Sequence, residues 1–164
     1  MKRKFLILGI FACVSIFSFS QEVNMNRWID IKFREGWDAP HGERTINLHS
    51  IGDSANTKIK IVSGWREVTK TIGEDWDYLN TEFFLGADTI RIYGNVKMLM
   101  TIGNSYISKV DLDNNTEVIQ LFINAGQVYE LNITNCTKMQ ALSCSGLFEN
   151  IDLSRLTELE YLVL

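Results

Sequence analysis

Acidic side chains gather in two places where their spacing could do chemistry. In "GEDWDYL", Glu74, Asp75 and Asp77 surround Trp76. Three neighbouring carboxyls can serve as general acid and base, or hold calcium. In "VDLDNN", Asp111 and Asp113 fall on one outward face of an extended chain, where they too could touch Ca²⁺. Calcium takes about 6–8 oxygen ligands, so neither group is a complete site alone. Acids are mostly solvated, and a surface loop around a buried Trp accounts for the first cluster without any chemistry.

Other catalytic materials are scarce. The chain has two histidines, His41 and His49, and no Gly-x-Ser-x-Gly, His-Glu-x-x-His or P-loop pattern. The expectation is a non-enzymatic protein with no cofactor and no metal. Recognition has more to work with. All four tryptophans, Trp28, Trp37, Trp65 and Trp76, lie in the amino-terminal half. Trp37 sits in the loop-like stretch "REGWDAPHGER", and an exposed indole there could stack on a sugar or anchor a protein. A carbohydrate-binding module working through Trp37 is therefore the alternative function.

The elements that must position such residues begin after a leader. Lys2, Arg3 and Lys4 precede a mostly apolar run, Phe5 to Phe19, and Ser18-Phe19-Ser20 is a small-x-small cleavage pattern. Residues 1–20 read as a secretory signal peptide cut near Ser20. A membrane span needs roughly 20 apolar residues, more than this run supplies. A lipidated Cys13 is the competing reading, with Phe11 fitting a lipobox poorly. The expected location is the medium or the cell envelope, periplasm or outer surface.

Three of the 16 basic residues and none of the 20 acids lie in the leader, which leaves 13 against 20, a net charge of −7. Such a surface argues against nucleic acid and anionic lipid as partners.

From residue 90 onward the chain repeats. Met100, Leu121, Leu142 and Leu162 are 21, 21 and 20 residues apart, and Ile102, Ile123, Cys144 and Leu164 keep the same steps. Ile90, Val110, Leu131 and Ile151 form another column, followed by Ile92, Leu112, Ile133 and Leu153. Met98, Val118, Met139 and Leu159 make a fifth, and Thr116, Thr137 and Thr157 a sixth. A period near 20 marks a solenoid, in which each coil lays its apolar residues on those of the next. Inward positions must stay apolar because they stack; outward ones need only be soluble, so they drift.

Each coil holds two short alternating runs, such as "VDL" and "LFI", that become rungs of parallel sheets. The spacing in "VIQLFI", "MQALSC" and "LEYLVL" resembles the leucine-rich repeat, of the exported bacterial, internalin-like type. The resemblance covers 90–164. It departs where the family places Asn in the turn, since Ser105, Gly126 and Leu147 stand there. A plain parallel β-helix is the competing architecture. The fold class expected is mainly β: a short right-handed leucine-rich-repeat-like solenoid with 20–21-residue coils. A small β-rich cap over 21–89 precedes it, built on "WIDIKF", "TINLH" and "KIKIV".

The resemblance implies protein or host-surface binding on the outward side of the longer sheet. Its columns are Leu99, Gln120, Ala141 and Tyr161; Thr101, Phe122, Ser143 and Val163; and Gly103, Asn124 and Ser145. The expected contact residues are Gln120, Phe122, Asn124, Ser143 and Tyr161, with Phe122 and Tyr161 as anchors. Cys136 and Cys144 invite a disulfide in an exported protein, but Cys144 fills an inward column, which argues for a buried thiol. The last coil, "LEYLVL", carries no polar closing turn. The expectation is a shortened array, or pairing of Leu162 to Leu164 with another chain.

Overall fold

A computed structural model describes residues 21–34, 45–75, 77–79, 85–103, 106–148 and 150–164, with backbone only at 77–79 and 125–127. The chain is mainly β, with twelve strands and no helix among these residues. They are β1 (Trp28–Phe33), β2 (Leu48–Gly52), β3 (Thr57–Ser63), β4 (Arg66–Ile72), β5 (Asp77–Leu79) and β6 (Thr89–Tyr93). After these come β7 (Val96–Thr101), β8 (Ile107–Asp111), β9 (Gln120–Val128), β10 (Glu130–Asn132), β11 (Ala141–Gly146) and β12 (Tyr161–Val163). They form two mixed six-stranded sheets. Sheet one runs β10-β8-β1-β6-β3-β4, and sheet two runs β12-β11-β9-β7-β2-β5.

Alternation builds both sheets. In β3 every second residue is fully covered, Ile59 and Ile61 among them, while Lys58 and Lys60 face out. β1 does the same with Ile29, Ile31 and Phe33. These side chains meet Leu48, Leu99, Leu121, Ile123, Leu142 and Cys144 of sheet two in one hydrophobic core. Two sheets, each apolar on one face, are thereby covered by one another.

The carboxyl-terminal strands pair in step. Leu121 lies beside Leu142, and Leu142 beside Leu162, in parallel register across β9, β11 and β12. β8 and β10 pair in parallel with Val110 beside Leu131. Between the sheets the chain makes the same double turn three times. Asn115 N–H donates to Leu112 O and Val118 N–H to Asn115 O; Cys136 and Met139, then Leu156 and Leu159, repeat this 21 and 20 residues later. Thr116, Thr137 and Thr157 sit exposed in the second turn. The column just before them, Asn115, Cys136 and Leu156, is the buried one.

Three expectations are corrected. First, "IRI" does not stack on "VDL". β1 lies between β6 and β8, antiparallel to both, so Ile31 is the partner of Ile90 on one side and Val110 on the other. Strands from both sides of residue 89 therefore share each sheet.

Second, the first rung of sheet two is one residue out of the expected frame. Leu99, not Met100, pairs with Leu121, and Thr101, not Ile102, with Ile123. Leu99 and Thr101 are therefore buried, whereas Met98, Met100 and Ile102 are not. The cause is β2, which binds the other edge of β7 antiparallel and sets Leu48 and Ser50 opposite Thr101 and Leu99. Third, Ile151 to Leu153 forms no strand, and sheet one ends at β10.

Gly94 shows where the backbone is under constraint. Its φ is 126°, and a Cβ there would lie 2.7 Å from Lys58 O. Only glycine permits that turn between β6 and β7.

Candidate functional site

The two outer faces differ in chemistry. Across sheet one, one row reads Asn132, Asp111, Asp30, Arg91, Val62 and Glu67, and a second Glu130, Lys109, Lys32 and Thr89. The charges neutralise one another. Arg91 forks onto Asp30, with Nε and Nη2 at 2.7 and 2.8 Å from its two carboxylate oxygens. Its guanidinium also lies 5.0 Å from the Trp28 ring and 5.8 Å from that of Tyr93. The Asp30 carboxylate, with help from Tyr93, raises the Arg91 pKa. Lys109 lies 3.0 Å from Glu130, which raises its pKa, and 4.0 Å from Asp111. Lys60 meets Glu67 at 2.7 Å.

Across sheet two the rows are Met98, Gln120, Ala141 and Tyr161, then His49, Met100, Phe122, Ser143 and Val163. Neither row contains an Asp, Glu, Lys or Arg. Beside them an open cleft of about 580 Å³ is lined by Met100, Ile102, Gln120, Phe122, Asn124, Ser143 and Ser145, among others, again with no charged residue. Four of the five residues expected to bind, Gln120, Phe122, Asn124 and Ser143, thus line one cleft. Tyr161 lies outside its lining, two strands from Gln120 in the same row, and is 52% exposed. The sequence reading missed Met98, Met100 and Ile102, which it had turned inward, and assigned Leu99 and Thr101 to this face although both are buried. The "KMLMT" stretch carries apolar residues in both phases of the alternation, so its own pattern cannot choose a face.

The other candidates disperse. Trp37 and His41 lie outside the described residues, as does Trp76. Glu74 and Asp75 are exposed. Among the described residues the indole that stands in solvent is Trp65, 78% exposed at the tip of the β3–β4 hairpin with the Arg66 guanidinium 4.5 Å from its ring centroid. Asp111 and Asp113 serve the turn. Asp111 Oδ1 accepts from Asp113 N–H at 3.1 Å, and Asn132 Nδ2 donates to Asp113 Oδ2 at 2.8 Å. Among the described residues no group of three or more His, Cys, Asp or Glu is placed to hold a metal. Cys136 and Cys144 are free and buried. Burial pushes both thiols up to about 12, with Asp113 and Asp111 adding to the effect at Cys136.

No described helix is long and apolar enough to cross a membrane. Comparison with known proteins returns no matching family model, no matching curated protein and no matching solved structure.

Proposed function

We propose that this chain is an exported, non-enzymatic interaction module that docks a protein or cell-surface partner on the outer face of sheet two. The observation that carries this reading is the contrast between the two faces. The chain has 36 charged residues in 164, yet the two rows that cross β7, β9, β11 and β12 contain none, and Met100, Phe122 and Tyr161 stand in them. Interface centres are depleted in charge and enriched in aromatic residues and Met. Sheet one, with its paired ions, is the face that water satisfies.

On this reading residues 90–164 form a short leucine-rich-repeat-like solenoid and the earlier strands its amino-terminal cover. The in-step pairing of β9, β11 and β12 and the thrice-repeated double turn support it. The variable outward positions then set specificity.

The test is a photo-crosslinking amino acid placed at Ser143 on sheet two, with Thr69 on sheet one as the control, in cells exporting the protein. The expected result is one discrete adduct from Ser143, none from Thr69, and loss of the adduct in Phe122→Asp. Adducts from Thr69 alone, or equal adducts from both, would refute the assignment.

A second reading, a carbohydrate-binding module, now draws on Trp65, whose ring is exposed and backed by Arg66. Glycan-array binding lost in Trp65→Ala and kept in Phe122→Asp would favour it over protein docking.

A further inference from the structure

We infer that β7 has two registers, the bulged one described above and a straight one, and that the change between them remodels the Phe122 cleft. Strict alternation fails inside β7. Val96 and Leu99 are both fully buried, with Lys97 and Met98 half-buried between them. On the β2 side Gly52 pairs with Val96 and Ile51 with Met98, so Lys97 is one residue too many. It forms a β-bulge, which interrupts the ladder and re-aims every side chain that follows. The bulge alone decides which residues of β7 face the core.

Removing it leaves a sound strand. Residues 96–102 then alternate without a break, with Val96, Met98, Met100 and Ile102 on one side and Lys97, Leu99 and Thr101 on the other. With Val96 held at Gly52, each later residue advances one place. Met98 takes the place of Leu99 beside Leu121, and Met100 that of Thr101 beside Ile123. Met for Leu conserves volume, so the first exchange disturbs the core little. The second removes a defect. Thr101 Oγ1 is buried with no hydrogen-bond partner among the described residues, which is destabilising, and the straight register turns it outward. The displaced residue passes to the end of the strand. There Gly103 has φ 73°, and a Cβ on it would meet nothing within 4 Å. Ile119 N–H, 2.8 Å from Lys97 O, favours the bulged register.

The consequence for recognition rests on the docking reading. In the bulged register Met100 and Ile102 line the cleft. In the straight register both turn inward, Leu99 and Thr101 replace them, and Lys97 takes the place of Met98 beside Gln120, in a row that holds no charge. A partner suited to an uncharged apolar surface binds the bulged register and draws the population toward it.

Thiol labelling of the native protein at neutral pH tests the shift without any partner. Thr101→Cys supplies a reporter that is covered in the bulged register and exposed in the straight one. Cys136 and Cys144, buried and remote from the bulge, report global unfolding in the same molecule. The reporter is expected to label at least roughly tenfold faster than Cys144, because a local opening is more populated than the unfolded state. Adding Met100→Lys, whose charge cannot enter the core beside Leu48 and Ile123, should bring the reporter down to the rate of Cys144. A reporter that labels only in step with Cys144 would overturn the second register. So would rapid labelling indifferent to Met100→Lys, which is the behaviour of a fraying strand end. Either result leaves the docking reading standing, and failure of the Ser143 crosslink leaves the labelling result standing.

Discussion

Cys136 and Cys144 make the chemistry of the interior measurable. Each thiol is neutral in the fold and pushed up to about 12, largely by burial, from an ordinary value of 9.0. The unfolded chain gives up these protons first as pH rises. Their contribution to stability is therefore complete below pH 9 and is lost between 9 and about 12. Urea midpoints should fall across that window, and less steeply in Cys144→Ala. A thiol reagent at neutral pH should label neither residue until the protein unfolds, since reactivity follows the exposed thiolate. Rapid labelling of the native protein would contradict the buried placement. This much was legible from sequence, because Cys144 occupies a column otherwise filled by Ile and Leu. Cys136 was less so: it stands where the other coils have Asn115 and Leu156, and only the structure shows that position to be fully buried.

At the level of elements, Asn115 ties one coil to the strand before it. It is buried, and its Nδ2 donates to Val96 O at 3.2 Å and approaches Gly94 O at 3.4 Å. Asn115→Ala removes the side-chain donor to Val96 O, while Gly94 O keeps the Val96 N–H at 3.0 Å, and should cost about 1–3 kcal/mol in urea unfolding. Asn115→Asp adds a buried charge facing carbonyl oxygens and should cost more, roughly 3–5 kcal/mol. Equal losses in the two variants would argue that the amide is solvated. Gly94→Ala should cost about 1–3 kcal/mol by the same measurement, from positive φ and the Lys58 carbonyl together. These elements also mark the limit of local reading. β1 was recognisable from "WIDIKF" because its inward positions must be apolar. Its insertion between β6 and β8 was not, because antiparallel pairing with strands some sixty to eighty residues away leaves no local trace. The frame of β7 failed for a related reason: Met98, Leu99 and Met100 satisfy either alternation, and the distant strand β2 decides between them.

For the whole molecule, division of labour between two faces is the physical claim. Ion pairs on sheet one are surface pairs, each worth up to about 1 kcal/mol, and salt screens them. The two rows across β7, β9, β11 and β12 of sheet two hold no Asp, Glu, Lys or Arg for salt to screen. The column positions were legible in the sequence at Gln120, Phe122, Asn124 and Ser143, because β9 and β11 alternate without ambiguity. The lack of charge became visible only once His49 of β2 and the two methionines of β7 joined those columns. The most direct measurement is the affinity of the partner captured at Ser143 for wild type and Phe122→Asp, at low and at high salt. The expected result is a dissociation constant nearly independent of salt, and a loss of at least roughly thirtyfold on substitution at an unchanged unfolding midpoint. A complex that dissolves in salt and tolerates Phe122→Asp would assign recognition to charged groups elsewhere and contradict the claim.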